Sequence, residues 1–526
     1  MKKTSIILLT AFGLTLASCS DFLEREPVSD LAPGTFFQNK KEMANWNAGI
    51  YLSFQQALRQ KQALYGDVRS DNVDDTGYAA NYLLTNAITP QQAESSWADI
   101  YQTICRANTG INKYPTIPSV LESEIAPYMG QAYGMRAYMY FWGTRSWGKM
   151  PIITTDWDGD MGSVNVPRAS IEEVRDQIYS DIEKAIGYFT ITDTSSKFYL
   201  GLAAMYELKA EADMWYGRYQ DALAATDYFI GNKNYYLVDG EDEWKKIFEK
   251  PGDSGEVIFA MDWSYTEHGG NGAWPTLLGA SNTNNGWKMA RPIYEEFIDR
   301  LRADEYKAED DPNVYGADSR FWNTVDTVRM FYNNSRLPLS YAAYDNKYTN
   351  GVEKCIKYSS EDPNREFDAA NQVYKTKYLV LSTTDCEQKL VMMRVANPIL
   401  LRAEALNQLG RGDEALDIVN QIRARSGYFK DAKTEVDASD KDAVEDLILL
   451  ERQLEFFGEG QRWFDLMRTD KLIEVMDPVY RERQEKAGVQ VTGFGDPGQA
   501  YWPVYYREFE SNSALKGDQN YPYTER

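Results

Sequence analysis

The sequence predicts an all-α-dominated chain of tetratricopeptide-like helical hairpins, with a loop-rich insertion carrying short strands. Three observations lead there. Apolar residues recur at helical spacing through most of the 526 residues. One hairpin motif occurs twice. Between its two copies the composition turns to Gly, Asn, Trp and Tyr, and the helical period fades. The chain is long enough for about three domain-sized cores or one large helical array.

The first element is a targeting segment. Lys2 and Lys3 precede an apolar run, Ile6 to Leu16, too short to span a bilayer and suited to a secretion signal. Leu16-Ala17-Ser18-Cys19 then reads as a bacterial lipobox. Residues 1–18 are the expected signal peptide, Cys19 the lipidation site and 19–40 a lipidated tether.

Helices follow. Lys41–Leu58 sets Met43, Trp46, Ile50 and Phe54 on one stripe, and Ser96–Tyr114 does so with Trp97, Ile100, Tyr101, Ile104 and Ile111. Pro115 and Pro118 close the second helix. Pro127 is expected to open a third, Tyr128 to about Trp142, before Gly148 and Pro151 break the pattern. Ser170 is the expected N-cap of the next, with Glu173 as its capping-box partner.

The repeated motif is E-A-x-x-x-Φ-G-R-x-x-[DE]-A-L. It spans Glu211 to Leu223 and again Glu404 to Leu416 without a gap. Gly217 and Gly410 can end the first helix in the left-handed region, and the acidic residue begins the second. Such hairpins stack because one alone cannot bury its face. Copies this far apart imply an irregular insert, roughly 240–390, in which Glu256 to Ala260 reads as a short strand. The expected regions are therefore 41–240, a helical region with hairpins; 241–390, a loop-rich variable region; and 391–526, a second helical region.

Composition narrows the function. A formal charge of −23 repels phosphate backbones, so nucleic acid is not an expected partner. His268 is the single histidine, which excludes sites needing two, and it reads as a polar loop residue rather than a catalytic base. Cys105 falls in an apolar helical pattern and reads as core; Cys355 and Cys386 leave a disulfide open. No cofactor or metal is expected. The acidic run Asp71, Asp74, Asp75 lacks EF-hand spacing and reads as a solvated loop, with Ca²⁺ coordination as the alternative.

Several motifs together resemble the SusD/RagB family of outer-membrane nutrient-binding lipoproteins of Bacteroidetes. They are Cys19-Ser20-Asp21-Phe22-Leu23; Trp97 with Ile100-Tyr101, Ile104 and Arg106-Ala107-Asn108; Gly130-Gln131-Ala132 through Arg136-Ala137-Tyr138 to Gly148-Lys149-Met150-Pro151; and Val166 to Val174. The most specific is Glu451 to Arg468, which resembles E-R-x-x-E-F-x-x-E-G-x-R-x-x-D-L-x-R at every key letter. Asn520-Tyr521-Pro522-Tyr523 departs from the family's Q-N-P-G-Y ending. The resemblance implies a SusD-like α-α superhelix with four tetratricopeptide-like hairpins and no catalytic activity. It implies a lipid-anchored protein of the outer membrane, facing the cell exterior. That protein captures a glycan, or in some members a peptide, and delivers it to a SusC-like TonB-dependent transporter. Within the signature, Arg452, Glu455, Arg462 and Asp465 read as a fixed charge network between helices rather than as ligand contacts.

A sugar ring needs a flat apolar platform for its C–H face and short polar groups for its hydroxyls. Two stretches supply both, Tyr65 to Tyr82 and Trp263 to Trp287, with a weaker third around Trp322. The candidate ligand contacts are Trp274, Trp287, Tyr78, Asp71, Asn72, Trp263, Asn285 and Trp322. Trp274 and Trp287 lead because Gly and Asn surround them and no helical stripe claims them. Asp71 and Asn72 can equally form an Asx-turn. Two other classes fit less of the sequence: a helical glycoside hydrolase, whose carboxylate pair needs no histidine, and a scaffold for other surface proteins.

Overall fold

The computed structural model describes residues 36–75, 81–156, 165–269, 287–302, 318–324, 331–332, 335–336, 367–368, 373–374 and 388–525. Cys19, Tyr78, Trp274, Asn285, Cys355 and Cys386 lie outside them. Helices dominate, as predicted, and among the described residues none is long and apolar enough to cross a membrane.

α1 (Lys40–Leu58) is capped by Asn39, whose side chain accepts from the Glu42 N–H, and it buries Met43, Ile50, Tyr51 and Phe54. The Trp46 indole donates to the Arg106 carbonyl at 2.9 Å, which ties α1 to α2 (Ala98–Lys113). α3 (Glu122–Trp147) corrects the expected start. The Glu124 carboxylate accepts from the Leu121 N–H at 3.1 Å, so the helix begins before Pro127. Pro127, one turn in, forgoes a single N–H bond there. α3 then runs to Trp147, longer than predicted, and stops at Gly148 with φ 73°. α4 (Ile171–Ile191) has the predicted capping box: Ser170 Oγ accepts from the Glu173 N–H at 3.2 Å, and the Glu173 carboxylate accepts from the Ser170 N–H at 2.8 Å.

α5 (Leu202–Trp215) and α6 (Tyr219–Thr226) form the first predicted hairpin. Gly217 sits at φ 70°, and the Arg218 N–H donates back to the Asp213 carbonyl at 2.7 Å. The insertion follows, with α7 (Glu241–Glu249), α8 (Arg291–Arg302) and the short α9 (Ser319–Thr324). The second hairpin, α10 (Ala396–Gln408) and α11 (Gly412–Arg425), repeats the turn: Gly410 at φ 77°, and Arg411 N–H to the Leu406 carbonyl at 2.8 Å. The motif arginines also repeat their role, Arg218 pairing with Asp221 and Arg411 with Glu414.

Although far apart in sequence, the two hairpins pack directly on each other. Ala210, Met214, Ala222 and Leu223 meet Leu401, Ala405, Leu406 and Leu416 in one apolar cluster that also takes Ile448 of α12 (Lys441–Glu455). Small alanines permit the close approach. α13 (Arg462–Arg468) and α14 (Leu472–Ala487) complete the C-terminal half.

The predicted strand is present as Val257–Met261. It pairs antiparallel with Leu390–Arg394, both strands fully buried. The insertion thus leaves and rejoins the helical frame across one interior ribbon. Two-residue ladders, 331–332 with 335–336 and 367–368 with 373–374, are among the short strands within it.

Candidate ligand-binding site

The site is built on a three-residue ladder that sequence reasoning did not foresee. We label its strands β1 (Val73–Asp75) and β2 (Trp287–Met289). They run antiparallel, with Val73 opposite Met289, Asp74 opposite Lys288 and Asp75 opposite Trp287. The Ala290 N–H donates to the Asn72 carbonyl at 2.8 Å and extends the ladder by one rung. Asp75 ends one predicted ligand stretch's described lead-in, and Trp287 ends the other stretch. The register therefore brings together two segments more than two hundred positions apart in sequence.

What precedes β1 is interior. Tyr65 is fully buried, stacks on Trp502 at 3.9 Å between centroids and donates to the Glu94 carbonyl. Residue 66 must be glycine: a Cβ there would sit 2.0 Å from the Gly460 carbonyl oxygen. The Asp67 carboxylate accepts from the Gly460 N–H and from Asn72 Nδ2. Asp71 receives a two-pronged bond from Arg462, Nε to Oδ1 and Nη2 to Oδ2, each at 2.9 Å. Gln453 Nε2 donates to both Asp71 Oδ2 (3.1 Å) and Asn72 Oδ1 (3.0 Å). Burial alone would raise the Asp71 carboxyl, but the Arg462 guanidinium and the Gln453 amide outweigh it and hold it below the usual range. Asp71 and Asn72 thus have structural partners, and Asn72 is 1% exposed. Among the described residues no group of three or more His, Cys, Asp or Glu is placed to hold a metal ion.

Trp263 is also interior, 4% exposed, with its indole N–H donated to the Gly269 carbonyl at 2.7 Å. The loop from 264 to 269 closes back on the indole, so Trp263 packs inward rather than offering an open ring face. His268 Nδ1 accepts from the Ser264 N–H at 3.2 Å, a turn-closing role. Trp287 lies in β2 and Trp322 in α9; the structure describes their backbones.

α9 is anchored by Arg320, fully buried, which bonds Asp318 and Glu451. Arg300 of α8 also reaches Glu451, at 3.1 Å, and Arg423 does so at 2.9 Å. Beside this group, Arg394 bonds Glu256, Glu455 and Glu459. Burial pushes the Glu451 and Glu455 carboxyls up, but the surrounding guanidiniums outweigh it and hold both far below the usual range. Arg452 pairs with Asp465 at 2.8 Å. The signature charges are all paired, but only Arg452 and Asp465 pair within the expected set; Glu455 meets Arg394 and Arg425, and Arg462 reaches Asp71 rather than a neighbouring helix. The sequence reasoning missed Gln453 and Arg483, which hold the approach to β1. The only signal for them was their place in helices dominated by apolar stripes.

The chain matches the SusD family over residues 255–523, and a second family described as "Starch-binding associating with outer membrane" over residues 21–202. It is 29% identical to SusD-like protein P38 of Formosa agariphila across 99% of each chain, and 24% identical to SusD-like protein P2 of the same organism across 91% of this chain and 93% of that one. Among solved structures it is similar to B. fragilis NanU (TM-score 0.66, 20% identity, 95% of this chain and 100% of that one). It is also similar to a laminarin-binding SusD-like protein (TM-score 0.66, 19% identity, 92% and 100%).

Proposed function

Because the chain belongs to the SusD/RagB family, we propose that it binds a glycan oligomer at the outer cell surface and delivers it to a SusC-like TonB-dependent transporter, breaking no bond itself. A lipid on Cys19 moors it to the outer membrane, with 19–40 as tether and the body facing the exterior. The observation that carries the reading is the β1–β2 register, which draws two aromatic- and amide-rich stretches to one ladder. The family descriptions, starch-binding and outer-membrane-associated, support glycan as the class, as does the laminarin-binding neighbour.

The ligand contacts we assign are Trp287, Trp274 and Trp322 as platforms, with Tyr78 and Asn285 reaching hydroxyls. Asp71, Asn72 and Trp263 serve from inside, by holding those segments. A few stacking platforms give micromolar-to-millimolar affinity, roughly 4–8 kcal/mol, which suits cargo that must be released.

Affinity gel electrophoresis on a panel of α- and β-glucans, host glycans and peptides tests this. Retardation by at least one glycan, with no new reducing ends after prolonged incubation, is the expected result. Retention of peptides alone moves the ligand class, and released reducing ends overturn the non-catalytic reading.

A further inference from the structure

We infer that the signature helix α12, with Arg462 of α13, is a clamp that sets the β1–β2 ladder in place, and that Gln453, Arg462 and Glu451 are positioning residues for ligand binding; this rests on the glycan-binding reading above. Both strands are tied to the same helix. β1 is reached through its lead-in, where Gln453 holds Asp71 and Asn72 and Arg462 holds Asp71 by two bonds. β2 is reached through its continuation into α8, where Arg300 donates to both oxygens of Glu451. Glu451 and Gln453 stand two positions apart in one helix, so the spacing between the β1 lead-in and the helix that continues β2 is fixed by a rigid element rather than by loop packing.

The backbone of the β1 lead-in is held as firmly as its side chains. Tyr480 donates to the Arg69 carbonyl at 2.9 Å. Arg483 donates to the Ser70 carbonyl at 3.0 Å and to that of Val73. A segment meant only to fill space would need apolar burial. This one engages guanidiniums, amides and a hydroxyl in directional bonds, which fix position to a fraction of an ångström. The ladder itself is only three residues per strand and would not hold its register alone.

The test separates positioning from stability. Gln453→Met keeps the side chain's length and removes both donated bonds; Arg462→Lys keeps the charge and loses the fork. Arg468→Gln is the control, because Arg468 pairs with Glu404 and Asp465, all three buried, and touches neither the β1 lead-in nor α8. Hydrogen exchange is read at the Ala290 amide and across residues 73–75 and 287–289, which needs no glycan. In Gln453→Met we expect exchange there to speed about tenfold or more, and the glycan dissociation constant to rise about three- to tenfold. Arg462→Lys should give a smaller change in the same direction. Arg468→Gln should lower the melting temperature and leave both readouts at wild-type values. Unchanged ladder exchange in Gln453→Met overturns the clamp. So does a loosened ladder with unaltered affinity, or a control that shifts both readouts as much. If the wild type binds no glycan, the functional reading falls, and ladder exchange alone decides the clamp.

Discussion

Two interior regions of this molecule bury carboxylates and leave them in opposite states. Around the C-terminal half of α12, Glu451 and Glu455 face Arg300, Arg320, Arg394, Arg423 and Arg425 and stay ionised. Where α10 packs against α5 and against the first turns of α12, Glu207 of α5 and Glu445 of α12 have amides for partners: Asn397 bonds Glu207, and Asn407 and Gln408 bond Glu445. Burial, then the neighbouring Glu404 charge, pushes Glu445 up to about 7; burial, then Glu211, raises Glu207. Burial is the common cost. What differs is the number of guanidiniums within reach, and that decides whether a glutamate is a fixed charge or a neutral hydrogen-bonding group.

The comparison breaks most sharply at Glu451. Glu451→Gln leaves Arg300, Arg320 and Arg423 short of counter-charge in the interior. Chemical denaturation should report a loss of about 3–5 kcal/mol, and insertion and frame should separate first in proteolysis. The hairpin interface answers to volume instead. Leu416→Ala empties a fully buried site between the hairpins and should cost about 3 kcal/mol, independent of pH.

Acidity sharpens the contrast because the two regions give opposite slopes. Glu451 and Glu455 are depressed below their unfolded value, so their contribution is present above about pH 4.5 and lost as pH falls further. Glu445 is raised, so its stabilising neutral form is present below the unfolded value of 4.5 and lost as pH rises through about 7. Glu445→Gln mimics the neutral form. It should match wild type near pH 4.5 and be more stable above pH 7, by about 3 kcal/mol in thermal or denaturant unfolding. The smallest effect sets the baseline. Ser170→Ala removes a cap bonded to neither region and should cost about 1 kcal/mol without changing either slope.

Local signals were legible in the sequence, and long-range ones were not. The Ser170–Glu173 box and the turns at Gly217 and Gly410 depend on neighbours a few residues away, and each stands as predicted. The signature's charges announced a network because ions cannot be buried alone. The approach to β1 misled for the converse reason. Asp71 and Asn72 look like a wet loop until a guanidinium and an amide from near the other end of the chain arrive to bond them. The β1–β2 ladder leaves almost no trace: three residues a side show no period, and the partner is chosen by the frame. Pro127 marked a helix but not its start, since the Glu124 cap lies upstream.

The account stands or falls on a saturable glycan site beside that ladder. Isothermal calorimetry with the glycan that retards the protein most, on wild type and Trp287→Ala, tests it most directly. We predict a micromolar-to-millimolar dissociation constant for wild type, weakened about tenfold or more in the variant, with an unchanged melting temperature. A variant that binds as tightly as wild type, or a well-folded wild type that gives no heat with any glycan, would contradict it.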